Sequence, residues 1–386
     1  MIAPSAVHNR PDAPCGANDG TEGMSAVSEQ ARPFGFRDKL GYLFGDFGND
    51  FTFILSSSFL LKFYTDVMGV PAAVVGVVMM ITRFVDAFTD VTMGRICDRS
   101  RITAAGKFKP WILRMSGPVA IASFLIYQSG LAGMPMAAKI AYLVVTYILW
   151  GSIFYTAINI PYGSMASAIS PEPGDRQSLS TYRSMGGMLA GTVIGAVVPM
   201  VAYRDVNGQA VLDGGTFTLI AGIFSVLAVG CYLLCYTLVT ERVRPQDTPK
   251  SKQPSTWAML KNAASNRSLI SIIVASILML LAQLTIQSMA NYVYPNYYNS
   301  PKAQAASTFL MLGGMSVAAA IAKPLARRFG KTEISAATNA LAALISLGLY
   351  FFRPANVWVY VAIQTLNWLG LGVFAMVSWA LITDVI

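Results

Sequence analysis

The hydrophobic positions of this chain form long apolar runs that are separated by short polar segments. Most runs are near the length of about twenty residues that a helix needs to cross a bilayer. A transmembrane β-barrel would instead alternate apolar and polar positions over segments of about ten residues. The runs predict ten helices, over residues 41–64, 72–96, 111–131, 138–169, 181–202, 216–239, 269–295, 304–325, 334–352 and 357–386. This pattern is typical of an all-α polytopic membrane protein.

The polar segments divide the chain into four parts. Residues 1–38 are rich in Ala, Gly, Pro, Ser and Asn and predict a disordered cytoplasmic tail. They lack the apolar centre of about 7–15 residues that a signal peptide needs. Residues 39–240 predict a six-helix bundle, residues 241–268 a cytoplasmic linker, and residues 269–386 a second bundle of four helices.

Composition and charge support a membrane protein with a defined orientation. Hydrophobic residues make up 54% and charged residues 12% of the 386, whereas about a quarter of a soluble domain is charged. Most of the 28 Lys and Arg residues lie in the tail and in the connections after the second, fourth, sixth and eighth helices. The positive-inside rule puts these segments, and the N-terminus, in the cytoplasm. The net charge of +9 therefore requires no nucleic-acid partner.

The first two helices carry ionisable residues inside apolar runs. Arg83, Asp86 and Asp90 are spaced by three and four residues and share one face of the second helix. Asp46 and Asp50 lie one turn apart on the first helix. A charge at membrane depth costs at least about 2.5–3.5 kcal/mol, so these side chains should face protein or water. They predict either an ion site for H⁺ or Na⁺ or a network that only locks helices together.

The fourth and fifth helices add polar candidates. The segment TAINIPYGS supplies Thr156, Asn159 and Tyr162. An Asn amide both donates and accepts, which suits an ion, a sugar hydroxyl or an interhelical hydrogen bond. Arg183 begins the fifth helix and is either an anion ligand or a positively charged membrane anchor. Glycines 186, 187, 191 and 195 predict close packing of this helix against another.

Several classes of chemistry are disfavoured. The chain has one histidine, His8, in the polar tail, so a His-based metal or catalytic site in the membrane is not expected. No GxxxxGK[ST] motif is present, which argues against ATP hydrolysis by this chain. No nucleophile–base–orienter set is visible, and we predict that the protein is not an enzyme.

Several motifs together are similar to a known family. They are KLGYLFGDFGNDF, FYTDVMGV, RFVDAFTDVTMGRICD, GKFKPWIL, TYILWG, NIPYGSMASAIS and WALITDVI. The chain resembles the glycoside–pentoside–hexuronide:cation symporters, the melibiose permease family of the major facilitator superfamily. Its NIPYGS segment is similar to that of bacterial glucuronide and xyloside carriers. The resemblance implies two pseudo-symmetric helix bundles in a bacterial inner membrane.

The resemblance also implies roles for single residues. Asp86 and Asp90 match the family's cation-site aspartates, Arg83 a charged partner of that network, and Thr156 a position near the cation. Asp50 matches its sugar-binding aspartate on the first helix.

Two positions depart from melibiose permease. Asn159 falls where that protein has an aspartate that serves both sugar and cation, and Gly163 falls where it has a sugar-stacking tryptophan. With one carboxylate fewer, a proton is favoured over Na⁺. Arg183 lies within about one position of the family's sugar-binding arginine. The predicted cation-binding set is Asp86, Asp90, Thr156 and Asn159, with Na⁺ at Asp86 and Asp90 as the alternative to H⁺; the substrate-binding set is Asp50, Asn159, Arg183 and Tyr162; the charge network is Arg83 and Asp46.

The family has twelve helices. We predict ten for this chain, six in the first bundle and four in the second, so that helices 11 and 12 are missing. The leading hypothesis is a monomeric secondary transporter that moves a glycoside, hexuronide or pentoside with a cation and needs no cofactor. A shortened paralogue that senses rather than transports is an alternative, and so is a symporter of a lipid-like amphiphile.

Overall fold

The structure, a computed structural model, describes residues 32–243 and 267–385, without the side chains of Ser268 and of residues 378–385. In these ranges the long helices are α1 (Phe36–Asp66), α2 (Ala72–Arg99), α3 (Lys109–Ile126), α4 (Met136–Ile169), α5 (Pro173–Val201), α6 (Gly214–Leu238), α7 (Arg267–Tyr292), α8 (Pro301–Phe329), α9 (Lys331–Phe352) and α10 (Val357–Val385). A β-hairpin, with strands β1 (Tyr203–Val206) and β2 (Gln209–Leu212), connects α5 to α6.

Within the described ranges, eight helices are long and apolar enough to cross a membrane. The two others, α1 and α3, fall short for different reasons. Helix α1 carries acidic residues along its length, and the 18 residues of α3 include Lys109, Arg114 and two prolines, which lower its hydropathy. Both pack into the same helix group as α2, α5 and α6, so the predicted all-α polytopic architecture is confirmed.

Four local features differ from the predicted elements. Helix α5 begins at Pro173, whereas the polar segment 170–180 was expected to be a loop. Proline is favoured in the first turn of a helix because its missing N–H needs no partner there. The connection after α5 forms the hairpin rather than an irregular loop. Helix α4 contains a π-helical stretch over Leu149–Tyr155, and α7 continues as another over Val293–Tyr297.

Helix α1 lies at the centre of the first helix group, α1–α6, and packs against α5 and α6. Contact with α5 is close because that helix presents glycines. A Cβ atom at Gly186 would collide with the backbone oxygen of Leu43. At Gly187 it would lie 2.5 Å from Asp50 Oδ2. The predicted close packing of the α5 glycines is confirmed, and it brings the acidic residues of α1 next to α5.

The loops of this helix array lie at two ends. We call the end with the hairpin, Asp66 and Lys139 the hairpin end. The opposite end, with Lys107, Lys109 and Arg242, is the basic end. At the basic end Glu241 accepts hydrogen bonds from the backbone N–H groups of three successive residues at the start of α3, at 2.7–2.9 Å. These three donors have no partner within the helix, so Glu241 fixes α3 relative to α6.

Arg242 ties the same end together further. Its guanidinium donates to Asp38 Oδ2 at 2.9 Å, and its backbone N–H donates to the oxygen of Ala168 at 2.7 Å. Asp38 is fully buried and also pairs with Arg32 at 3.0 Å. The first residues of the predicted linker 241–268 thus pack against α1 and α4. Residues 244–266 of that linker and 1–31 of the predicted tail lie outside the described residues, and the predicted domain bounds stay a prediction.

The second helix group, α7–α10, meets the first at the hairpin end. Asn291 on α7 donates to the backbone oxygen of Ser58, and Thr308 on α8 donates to that of Gly195 at 3.1 Å. Among the described residues, every side-chain hydrogen bond between the two groups lies in this half of the protein. The groups are therefore joined at the hairpin end in this structure.

We expect Gly186→Ala to destabilise the protein, because its methyl group would collide with the α1 backbone. A typical cost of overpacking is about 1–3 kcal/mol. Gly191→Ala is the matched control on the same helix, since its Cβ would meet Ile54 at an ordinary 3.5 Å. Thermal unfolding in detergent compares the two variants. Equal midpoints for Gly186→Ala and wild type would contradict the close α1–α5 contact.

Candidate functional site

Asp86 on α2 is held by one cation and one hydroxyl. Its Oδ2 accepts from Arg83 at 3.0 Å, and its Oδ1 accepts from Ser152 of α4 at 2.5 Å. The Asp86 side chain is 17% exposed, whereas that of Arg83 is 54% exposed. Arg83 also donates to the hydroxyl of Tyr147 at 2.7 Å. The spacing-based expectation of an Arg–carboxylate pair on this face is therefore met at Asp86.

Asp90 lies one turn further along α2 and has a different environment. Its Oδ1 accepts from the hydroxyl of Thr156 at 2.9 Å. In the described part of the chain it forms no ion pair, and its residue surface is exposed. Thr156 is buried and also bonds to the backbone oxygen of Gly151 at 3.2 Å. Asp90 thus combines a fixed hydroxyl partner with an uncompensated carboxylate.

A second ion pair joins α1 to α5. Arg183 Nε donates to Asp46 Oδ1 at 2.9 Å. Asp46 is buried, and the Arg183 side chain is 39% exposed. The guanidinium also interacts with the hydroxyl of Tyr42. On the side of Gly163, Nη1 has no other side chain between it and that glycine, so this side of the guanidinium is open.

Asp50 lies next to this pair without joining it. Its Oδ2 faces Gly187 of α5, and within the described ranges it makes neither an ion pair nor a side-chain hydrogen bond. Neighbouring Asn49 is 1% exposed, and its oxygen accepts from Tyr232 at 2.9 Å. Of these two neighbouring aspartates, Asp46 is neutralised by a cation and Asp50 is not.

Tyr162 packs against the guanidinium of Arg183. The rings of Tyr162 and Tyr42 stack at 4.6 Å, and each hydroxyl donates to the backbone oxygen of the other residue, at 2.6 and 3.3 Å. The guanidinium of Arg183 lies 5.3 Å from the centre of the Tyr162 ring. Tyr162 is 1% exposed. These contacts cover the ring of Tyr162, and its role as a substrate contact stays a prediction.

Helix α4 lies between the two α2 carboxylates and the ion pair of Asp46 with Arg183. Ser152 and Thr156 bond the two α2 carboxylates, and Asn159 follows on the next turn. Asn159 is partly exposed and makes no side-chain hydrogen bond to a described residue. One turn further, Gly163 is exposed, and a Cβ there would lie 3.7 Å from Arg183 Nη1. We call Ser152, Thr156, Asn159 and Gly163 the α4 polar stripe.

The structure thus groups the predicted residues into two neighbouring clusters. Arg83, Asp86, Asp90 and Thr156 meet between α2 and α4; Asp46, Asp50, Arg183 and Tyr162 meet between α1, α4 and α5. Sequence reasoning missed Ser152, Tyr147 and Tyr42. Ser152 precedes Thr156 by four residues, as Asp86 precedes Asp90, and this shared spacing was an available signal. In the ranges that the structure describes, no group of three or more His, Cys, Asp or Glu side chains is placed to hold a metal ion.

Comparison with known proteins gives these clusters a context. The family described as MFS/sugar transport protein matches residues 41–386. The chain belongs to this family. It is 29% identical to the uncharacterized symporter YjmB of Bacillus subtilis (strain 168), over 93% of this chain and 76% of the relative. It is 28% identical to the glucuronide carrier protein homolog of Escherichia coli (strain K12), over 91% of this chain and 75% of the relative.

The fold agrees with this membership. The crystal structure of D-xylose-proton symporter matches 89% of this chain and 80% of its own, with a TM-score of 0.54 and 15% sequence identity. Membership and fold together identify a multi-pass membrane protein of the major facilitator superfamily, a secondary transporter rather than an enzyme. This confirms the family and fold that the motifs predict.

A double-mutant cycle tests the pair of Asp46 and Arg183. Asp46→Asn and Arg183→Gln should each lower the unfolding midpoint in detergent, and the double variant should lose less than the sum. We expect a coupling free energy of about 1 kcal/mol, since contacting charged residues couple by about 0.5–3 kcal/mol and Arg183 is partly screened by solvent. Additive effects would mean that the pair contributes nothing to stability.

Proposed function

We propose that this transporter carries an acidic sugar, such as a hexuronide, into the cell together with a cation, and that the cation is H⁺ rather than Na⁺. The observation that carries the proposal is the α4 polar stripe. One helix face bonds the carboxylates of Asp86 and Asp90 at one end and borders Arg183 at the other. Binding of an ion at the α2 carboxylates and of a solute near Arg183 would therefore act on the same helix.

Asp90 is the proposed proton carrier. Asp86 has a full cationic partner in Arg83, whereas Asp90 has a hydroxyl partner and no cation among the described residues. A proton needs a single carboxylate, whereas Na⁺ is held by several oxygen ligands. The Asn159 amide offers one more oxygen, and Thr156 another, so Na⁺ is the alternative that the experiment below separates. Arg83 and Asp86 would hold α2 and α4 in register while Asp90 is loaded.

Arg183 is the proposed ligand of the substrate's acidic group. Its Nη1 faces the space beside Gly163, which no other side chain fills. A guanidinium edge binds a carboxylate through two parallel hydrogen bonds. Asp50 and Asn159, whose polar groups have no described hydrogen-bond partner, would bind sugar hydroxyls. The relative named a glucuronide carrier protein homolog agrees with a substrate of this class.

The proposed orientation puts the basic end and the N-terminus in the cytoplasm of a bacterial inner membrane. Lysines 107 and 109 and arginines 176, 242 and 328 lie at that end, and the positive-inside rule favours them there. The two helix groups, which are joined here at the hairpin end, would rock around the site between them. The solute site would then open toward the cytoplasm in this conformation.

Coupling is tested with Asp90→Asn. In right-side-out vesicles, we expect the variant to lose accumulation of a labelled glucuronide against its gradient, while it retains exchange of labelled for unlabelled solute. The physical reason is that an amide cannot take up the coupling proton. Imposing pH and Na⁺ gradients separately in wild-type vesicles identifies the ion.

Asp98→Asn is the matched control, because Asp98 lies on the same helix near the basic end, beyond the stripe. It should accumulate substrate as wild type does. Accumulation by Asp90→Asn at the wild-type level would show that Asp90 does not take part in coupling. If the wild-type chain binds the glucuronide but shows neither uptake nor exchange, the protein would instead be a sensor.

Substrate class is tested by competition between a glucuronide and the glucoside with the same aglycone. Arg183→Gln should reduce the preference for the acid by about tenfold to a hundredfold, because a hydrogen bond to a charged group contributes about 1.5–3 kcal/mol. Gly163→Trp should act in the same direction by filling the space beside the guanidinium, and Gly163→Ala should do so less. Arg176→Gln, which removes a charge at the exposed start of the same helix, should leave the preference unchanged. A lysolipid that competes better than either sugar would favour an amphiphile carrier.

A further inference from the structure

Lys62 is a buried cation at the place where the two helix groups meet. It lies on the last turns of α1 at the hairpin end, and its side chain is 1% exposed. Its Nζ pairs with Asp66 Oδ2 at 2.6 Å and donates to Asn296 Oδ1, also at 2.6 Å. The same Nζ lies 4.5 Å from the centre of the Tyr292 ring. Lys62 therefore has one partner on its own helix and two on the second group.

The other contacts at this interface join neutral groups. Thr65 and Tyr292 share a hydrogen bond at 3.2 Å, and the hydroxyl of Tyr203 donates to the backbone oxygen of Asn291 at 3.4 Å. Asn299 bonds the hairpin through the backbone of Gly208 and Ala210. Among the described residues, Lys62 supplies the charge in the side-chain hydrogen bonds that join the groups.

We infer that Lys62, Asp66, Asn296 and Tyr292 form a latch that holds the hairpin end closed and releases it without leaving a charge unpaired. Lys62 and Asp66 are four residues apart on α1, so their ion pair moves with that helix. Asn296 and Tyr292 belong to the second group and leave when the groups separate. After separation, Lys62 still has its ion pair with Asp66, whose side chain is already 28% exposed. Water then replaces the two partners that the lysine has lost.

The latch requires Asp66→Asn to open the hairpin end more than Lys62→Met does. In Lys62→Met the closed state loses one hydrogen bond and one cation–π contact, while Asp66 is solvated in either state. In Asp66→Asn the lysine stays, and closure buries its charge without a carboxylate. Removing one partner of a buried pair is more damaging than removing both. Asp66→Asn should therefore favour the open hairpin end more than Lys62→Met does, and the double variant should resemble Lys62→Met.

The experiment measures the distance across the hairpin end by electron–electron double resonance in nanodiscs. Spin labels are attached to cysteines at Ala137, at the start of α4, and Ala355, between α9 and α10, both exposed, in the full chain with its four native cysteines replaced. No substrate is present, so the result is independent of the proposed transport function. We expect the ratio of open to closed populations to rise a few-fold in Lys62→Met and by about tenfold or more in Asp66→Asn.

Lys139→Met is the matched control. That lysine lies at the same end but donates to the backbone oxygen of Met68 at 2.6 Å, within the first group, and its loss should not change the distances. If Asp66→Asn does not fold, Lys62→Met/Asp66→Asn should fold and give the Lys62→Met distribution. Unchanged distances in Lys62→Met, or a shift in Asp66→Asn no larger than in Lys62→Met, would overturn the latch.

Discussion

The main constraint on this protein is the free-energy cost of placing charged side chains inside the helix array. Asp86 and Asp46 each have an arginine, from the same helix in one case and from α5 in the other. Asp90 has a hydroxyl partner, and Asp50 has neither hydrogen bond nor ion pair within the described residues. The two compensated carboxylates stabilise helix contacts, and the two uncompensated ones are the groups at which ion or solute binding would change the electrostatic energy most.

Close packing makes this arrangement specific. Glycines 186 and 187 let α5 approach α1 so closely that any side chain there would meet the α1 backbone or the Asp50 carboxylate. The approach brings Arg183 to Asp46 and at the same time confines Asp50. A network that also locks helices is therefore compatible with a binding site, because the arginine that holds α1 still presents Nη1 on the open side of Gly163. At Arg183, a contact that holds two helices together and a ligand for an anion are therefore compatible roles.

The sequence was sufficient for features that depend on local spacing. The apolar runs located the spans, and the three-residue step from Arg83 to Asp86 identified their pair. It was insufficient where distant segments meet, because Arg183 and Asp46 are 137 residues apart and nothing in either segment specifies the other. Ser152 and Thr156 share the four-residue step of Asp86 and Asp90, but that step does not specify the π-helical stretch that contains Ser152. The burial of Tyr162 is likewise set by Tyr42, 120 residues away.

Lys62 shows how the same constraint applies to a moving interface. A buried lysine whose counter-charge belonged to the opposite helix group would hold the groups together, and separation would leave both charges to be solvated independently. Here the carboxylate is on the same helix, so the ion pair persists and only neutral partners are exchanged for water. Such a contact can be formed and broken repeatedly at modest cost in free energy, whereas Asp46 and Arg183, which both belong to the first group, have no need to separate when the groups move.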